Sequence, residues 1–364
     1  KGMTRWKIGA SGFSDVYPIT IRMDCNDKNP GYEEGVLWGY LKDSDAGITW
    51  SSIENGIYTT TNIGWTRGII QDINGFEHIL LNQSNASDLN GQSGAWYRNS
   101  TSGITYLKTT DGSNPTGRIY IHPGDWMRLD LETSSYIKFY KCNIYGFELR
   151  NTAPSSALNP DHYTFDSCDL QYGGTLIPIY AGNDFWTIRN SELHNAENGI
   201  YTMTPGNMYN LLVENNYIHD IGTNNFYHKD AHGVGVQNGM NFIIQNNTFN
   251  NTGEAITFWS GNYDMKNNTI RYNFIKDVHA KSNTNGGGIV VAGNTTPGKR
   301  SGYYIYGNII LNPGLDTVED YQGGGITVNI GGDADLRIYN NVIYNEGGSH
   351  TNCRGAIRVY NSQS

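Results

Sequence analysis

Charge is scarce in this chain. Lys, Arg, Asp and Glu make up 16% of its 364 residues, against about 25% in an ordinary soluble domain. Long solvated helices need Ala, Glu, Lys and Leu in quantity, so a helical bundle or coiled coil is excluded. Cysteine is scarcer still. The four residues Cys25, Cys142, Cys168 and Cys353 are too few and too scattered for a disulfide scaffold or a zinc site, and no CxxC occurs. No stretch approaches the roughly eighteen consecutive apolar residues of a membrane span. Basic residues are outnumbered as well. With 25 Lys and Arg against 34 Asp and Glu, the formal net charge is −9, which argues against a nucleic-acid backbone as partner.

What is abundant points elsewhere. The chain holds 45 Gly, 26 Tyr and 8 Trp together with many Asn, and Gly and Asn favour turns and left-handed backbone positions. A chain of this length ordinarily divides into two domains, but repeats escape that expectation because each unit contacts only its neighbours. From about residue 136 one phrase recurs: an alternating apolar strand, a polar residue (usually Asn), a variable residue and an apolar one. Its copies are FYKCNI (139–144), FDSCDL (165–170), IRNSEL (188–193), VENNYI (213–218), IQNNTF (244–249), IRYNFI (270–275), IYGNII (305–310) and IYNNVI (338–343). The steps run from about 23 to about 35 residues, the length of a β-solenoid coil with variable loops.

One coil cannot bury its apolar face alone, so coils stack, and equivalent residues come to lie about 4.8 Å apart. The fourth residues of the copies, Cys142, Cys168, Ser191, Asn216, Asn247, Asn273, Asn308 and Asn341, then form one column. Its amides are expected to hydrogen-bond along the axis, and Cys142 and Cys168 to be stacked core thiols without a disulfide. A second phrase follows each first: NGIYTM, HGVGVQ, EAITFW, GGIVVA, GGITVN and GAIRVY. It places Ile200, Val234, Ile256, Ile289, Ile326 and Ile357 inward, each preceded by a small residue. The fold class is therefore all-β, a right-handed parallel β-helix with an elaborated N-terminal insertion. Residues 1–135 carry the first coils around a Trp- and Tyr-bearing insertion at about 31–115, and residues 136–364 form the regular coils. SGFSDVYPITIR near the start and RGAIRVYNSQS at the end read as parts of coils, so the chain is expected to be a mature or trimmed part of a longer secreted or cell-surface protein.

On these repeats the chain resembles the pectate-lyase-like β-helix superfamily, over about residues 136–360 well and elsewhere loosely. WYRNSTSGITYLKTTDGSNPTGRIYI (96–121) is similar to a segment common in secreted bacterial β-helix proteins. The resemblance implies a carbohydrate-active protein, since that fold hosts lyases, hydrolases, epimerases and adhesins. The paired aspartates and RIK-type segment of polygalacturonases are missing, as are the calcium-binding aspartates and arginine base of pectate lyases.

Stacking also turns the sequence into a surface map. Outward columns flank the second phrase: Asn198, His232, Glu254, Gly287, Gly324 and Gly355 two places before the inward residue; Tyr201, Gly235, Thr257, Val290, Thr327 and Arg358 one place after; Met203, Gln237, Trp259, Ala292, Asn329 and Tyr360 three places after. The glycine runs at 286–288 and 323–325 remove side chains and predict a trough beside His232, Glu254 and Trp259. YHKDAHGVGVQ adds Tyr227, His228, Lys229 and Asp230 on one loop-to-strand edge. From the coil and residue rises, the Cα atoms of Asp230 and Glu254 are expected about 8 Å apart, from which two carboxyl groups can reach the separations of roughly 5–9.5 Å that glycosidases use.

The reading favoured is a glycoside hydrolase with Asp230 and Glu254 as its carboxylate pair and His232 tuning one of them. Trp259 would stack on a sugar, with Lys229, Tyr227, Gln237, Glu319 and Asp320 as further substrate contacts. Some β-xylosidase-like β-helix enzymes are similar in using carboxylates from neighbouring coils. The alternatives are a polysaccharide lyase with Lys229, His232 or Tyr227 as base, and a non-catalytic carbohydrate-binding or adhesin module. No cofactor is required. DTVEDYQGGG offers Asp316, Glu319 and Asp320 as a third carboxylate or as ligands for a structural calcium. His279 and Lys281 rank second, and His194 and His219, just after the ladder, are read as structural.

Overall fold

The computed structural model describes residues 6–7, 18–22, 36–38, 41–61, 63, 68–73, 76–121, 128–131, 134–150, 161–180, 182–203, 207–222, 231–260, 264–279, 287–293, 300–315, 324–329, 335–344 and 356–360. Three long parallel sheets run the length of a right-handed parallel β-helix. We number them I to III in the order in which a coil visits them. Sheet I includes Thr175–Tyr180, Asn198–Met203, His232–Val236, Glu254–Ser260, Ile289–Gly293, Ile326–Asn329 and Ile357–Tyr360. Sheet II starts from Ile19–Arg22 and continues through Ile137–Tyr140, Tyr163–Asp166, Trp186–Arg189 and Leu211–Glu214 to Leu336–Tyr339. Sheet III runs from Val36–Trp38 through Asp169–Gln171, Glu192–Ala196, Tyr217–Ile221 and Thr248–Thr252 to Val342–Tyr344.

The turn from sheet II to sheet III is the recurring phrase. Its middle residue is left-handed, with φ of 53° at Asn190, 56° at Asn215, 55° at Asn246 and 54° at Asn340, a conformation that Asn tolerates better than most L-residues. The next residue points in and forms the ladder. Asn247 Nδ2 donates to Asn273 Oδ1 at 3.0 Å and to the Val213 carbonyl at 2.9 Å. Its Oδ1 accepts from Asn216 N and Nδ2, both at 3.0 Å. Asn273 and Asn308 repeat the pattern and Asn341 ends it as acceptor, so five buried or half-buried amides satisfy one another coil by coil. Toward the N-terminus Ser191 Oγ accepts from Cys168 N at 3.0 Å. Cys142 and Cys168 occupy the last slots as buried free thiols, and hydrogen bonding with Cys142 together with burial pushes the Cys168 thiol up and keeps it neutral.

The core repeats just as regularly. Ile144, Leu170, Leu193, Ile218, Phe249, Ile275 and Ile310 stack on sheet III, and Ile177, Ile200, Val234, Ile256, Ile289 and Ile326 on sheet I, all 2% exposed or less. Phe139 and Phe165 lie face to face at 4.6 Å, and Tyr163 lies on Trp186 at the same spacing. Each fully buried side chain of this size contributes about 1.5–3 kcal/mol.

An insertion separates the first coil from the second. Within 41–121 it forms a four-stranded antiparallel sheet and a mainly antiparallel five-stranded one, around its own core of Ile48, Ile63, Ile69, Leu80, Trp96, Leu107, Ile119 and Ile121. Ile70 then packs on Tyr172, with Tyr120 and Tyr145 alongside, which joins the insertion to the outer face of sheet III.

Candidate functional site

Strict alternation would put the residue two places before Ile256 on the same face as Ile256. Sheet I breaks that rule. The small residue between them also faces in: a Cβ on Gly233 would lie 2.7 Å from the Ala255 carbonyl oxygen and 2.8 Å from the ring of Phe249. Two successive inward residues reset the phase, so the preceding column turns outward. That is why Gly or Ala stands before Ile200, Val234, Ile256, Ile289 and Ile326, and why His232 and Glu254, paired in register, meet on the outer face.

There His232 Nδ1 lies 3.0 Å from Glu254 Oε2. The alignment is not that of a hydrogen bond, so we describe the contact as an ion-pair distance. Thr257 Oγ1 donates to the same carboxylate oxygen. The imidazole stacks on Tyr201 with centroids 5.5 Å apart, and His232 N donates to Asn198 Oδ1 at 3.0 Å. Gln237 Nε2 in turn donates to the Tyr201 hydroxyl at 2.6 Å. A side chain on Gly235 would strike the Tyr201 ring at 2.4 Å, so this glycine makes room for the stack. Glu254 is 1% exposed and His232 9%, whereas Trp259, on the same strand as Glu254, is 51% exposed.

These positions revise the expected site in part. His232 and Glu254 come together, but Glu254 is a sealed carboxylate facing an imidazole, not a group lining an open groove. The predicted trough is not what the described glycines make. Val290 Cγ2 lies 2.6 Å from where a Cβ of Gly287 would stand, so packing fills the outer space there, while Gly288 faces the core against the Gly325 carbonyl and Ile310. Asp230, Lys229 and Tyr227 lie outside the described residues, as do Glu319, Asp320, Asp316 and Lys281. Tyr201 and Thr257 were visible in the outward column, but nothing in the sequence tied them to His232 and Glu254. The phase reset had to be seen first.

A second ionisable cluster lies on the outer face of sheet III. His194 and His219 stack at 4.8 Å, and with Glu192 they offer donor atoms within 4.8 Å of one another. Hydrogen bonds account for them without an ion. His194 Nε2 lies 3.0 Å from Asp169 Oδ1, and its Nδ1 accepts from Asn195 Nδ2 at 2.8 Å. His219 sits between two carboxylates, with Nδ1 2.7 Å from Asp220 Oδ2 and Nε2 2.9 Å from Glu192 Oε1. Carboxylates only accept, so both nitrogens donate and the ring is an imidazolium. Burial works against that charge, but the hydrogen bonds to Asp220 and Glu192 outweigh it, and the pKa of His219 is raised. The bond from His219 lowers that of Asp220 despite burial.

The sign of the linkage follows. The His219 contribution to stability is complete below the unfolded histidine value of about 6.5 and is lost as pH rises through the higher folded value. The Asp220 contribution is complete above about 3.9 and is lost on acidification. The urea midpoint should therefore fall more steeply as pH rises above about 6.5 in the native chain than in His219→Gln. Parallel profiles for the two proteins would show that the cluster does not store this proton.

Residues 129–295 match the family described as right handed beta helix region. A search against curated proteins by sequence gave no match. Among solved structures, a complex of XylC with xylose is similar with a TM-score of 0.56 and 13% identity, covering 98% of this chain and 76% of that one. A structure described as a glycoside hydrolase gives a TM-score of 0.51 and 10% identity, covering 91% of this chain and 76% of that one. At such identities the likeness is one of fold, and it agrees with the pectate-lyase-like architecture inferred from the repeats.

Proposed function

We propose that the chain is an extracellular glycoside hydrolase that exchanges a proton with its substrate through the His232–Glu254 pair. The observation that carries this reading is a carboxylate 1% exposed and 3.0 Å from an imidazole on the outer face of sheet I. Burying an isolated charge is costly, so the carboxylate is set against the imidazole, and His232 is the one nearer solvent. A carboxylate behind an imidazole fixes its orientation and steadies the imidazolium. Such a pair can deliver a proton to a glycosidic oxygen or take one from water. Trp259 supplies an exposed indole face of the kind on which sugar rings rest, and Tyr201 and Gln237 supply hydrogen-bonding groups beside it. Asp230, two residues before His232 in the sequence, would provide the second carboxylate. The glycoside hydrolase and xylose-bound structures that share the fold support the choice of substrate class.

The test is a panel of plant and microbial polysaccharides, followed both for reducing ends and for absorbance near 235 nm, roughly where unsaturated uronates absorb. Reducing ends without absorbance are expected. Both together would replace hydrolysis by β-elimination. Neither, with binding retained, would make the chain a carbohydrate-binding module.

A further inference from the structure

The outer face of sheet II, a different sheet from the one that carries the His232–Glu254 pair, has a groove of about 350 Å³. Its floor is Lys138, Thr164 and Thr187, equivalent outward positions on three successive strands. One wall is aromatic. His162 and Phe185 each precede a sheet II strand in the left-handed conformation, with φ of 57° and 58°. Tyr136, His162 and Phe185 form a continuous stack at 4.4 and 4.5 Å. Phe185 ends that stack 48% exposed, a cost that a purely structural position would avoid with a polar residue.

The other wall is cationic. Arg189 Nε and Nη2 donate to Asp166 Oδ2 at 3.2 and 2.9 Å, and Lys138 Nζ lies 3.1 Å from the same oxygen. Asp166 is 5% exposed. Burial opposes its charge, but hydrogen bonds from Asn190, Arg189 and Lys138 prevail and hold its carboxyl at about 2. Two cations thus share one carboxylate, and Arg189 Nη1 is left for another acceptor. Asp161, 3.1 Å from His162 Nδ1, and Asp184 add negative charge near the aromatic wall, so recognition of an anion rests on Arg189 and Lys138 themselves.

A flat apolar platform, a threonine floor and a fixed cation pair match one kind of molecule, a sugar ring bearing a carboxylate. We propose that this groove binds a uronic acid residue of a glycan, with the ring on Phe185 and the carboxylate on Arg189 and Lys138. The volume is at the low end for ligand pockets, enough for one or two sugar units. The site is separate from the catalytic reading, and it would hold an acidic chain or side group on one face of the solenoid while sheet I works on another.

Titration calorimetry with digalacturonate and with a neutral disaccharide tests it, using the His232→Gln variant so that no cleavage intervenes. Digalacturonate is expected to bind at least about tenfold more tightly than the neutral sugar, and added salt should weaken it. Phe185→Ala, at an exposed position, and Thr187→Gln, which narrows the floor, should each weaken binding about fivefold or more, with the melting temperature unchanged. Arg189→Gln should abolish the preference for the acid. Equal affinity for both sugars, no binding of either, or binding untouched by Phe185→Ala and Thr187→Gln would overturn the assignment. Because binding is read without turnover, the site can stand when the hydrolase reading fails, and fail when it stands.

Discussion

Under the proposed hydrolysis, Glu254→Gln should lower turnover by about 10²–10⁴-fold, the contribution of a positioned acid–base group, while the melting temperature should change little. The amide keeps the shape and the acceptor that Thr257 Oγ1 uses, but it holds no negative charge beside His232. The fold has no stake in that charge, since the inward residues Val234 and Ile256 hold the strands. His232→Gln should lose as much. His232→Ala is the poorer test, because it leaves a carboxylate buried and unpaired, which is strongly destabilising. Steady-state kinetics separate positioning from general damage. Glu254→Gln should lower kcat with KM little changed, whereas a structural defect would also lower the melting temperature. Unaltered turnover in Glu254→Gln would remove the pair from the chemistry and leave it as a packing device.

Most of the architecture was legible because stacking repeats its requirements at every coil. Asn216, Asn247, Asn273, Asn308 and Asn341 announce their column by phase alone, and the glycines before Val234 and Ile289 are there because a carbonyl and a core side chain close over them. The site was less legible for three physical reasons. Exposure depends on what lies over the sheet, which spacing does not encode, so Glu254 was expected in the open and is sealed. Glycine reads as empty space in a sequence, whereas Val290 and the neighbouring backbone occupy the places beside Gly287 and Gly288. The sheet II groove draws its aromatic wall from Tyr136, His162 and Phe185, which share only a left-handed backbone and no residue type. Chemistry that appears once per molecule gives no period to detect.

Asn273→Leu should be among the most destabilising single changes in the solenoid. Asn273 Oδ1 accepts from Asn247 N and Nδ2, each at 3.0 Å, and its Nδ2 donates to Asn308 Oδ1 at 3.0 Å and to the Ile244 carbonyl at 2.9 Å. Leucine has the volume but none of these groups, so two N–H donors of Asn247 and one carbonyl lose partners where water cannot replace them. Each such loss costs about 1–3 kcal/mol, so even the low end of the sum is about 3 kcal/mol. Asn341→Leu is the matched control. That residue is half-buried, water can reach the groups it leaves, and roughly half the loss is expected. Because a solenoid is held by nearest-neighbour interfaces, the damage should centre on the coils around Asn273. Amide exchange should quicken first at Asn247, Thr248 and Phe274, with the coils around Ile144 and Leu170 still protected. Equal urea midpoints for Asn273→Leu and the native chain would show that side-chain stacking alone holds these turns and that the amide ladder contributes nothing to stability.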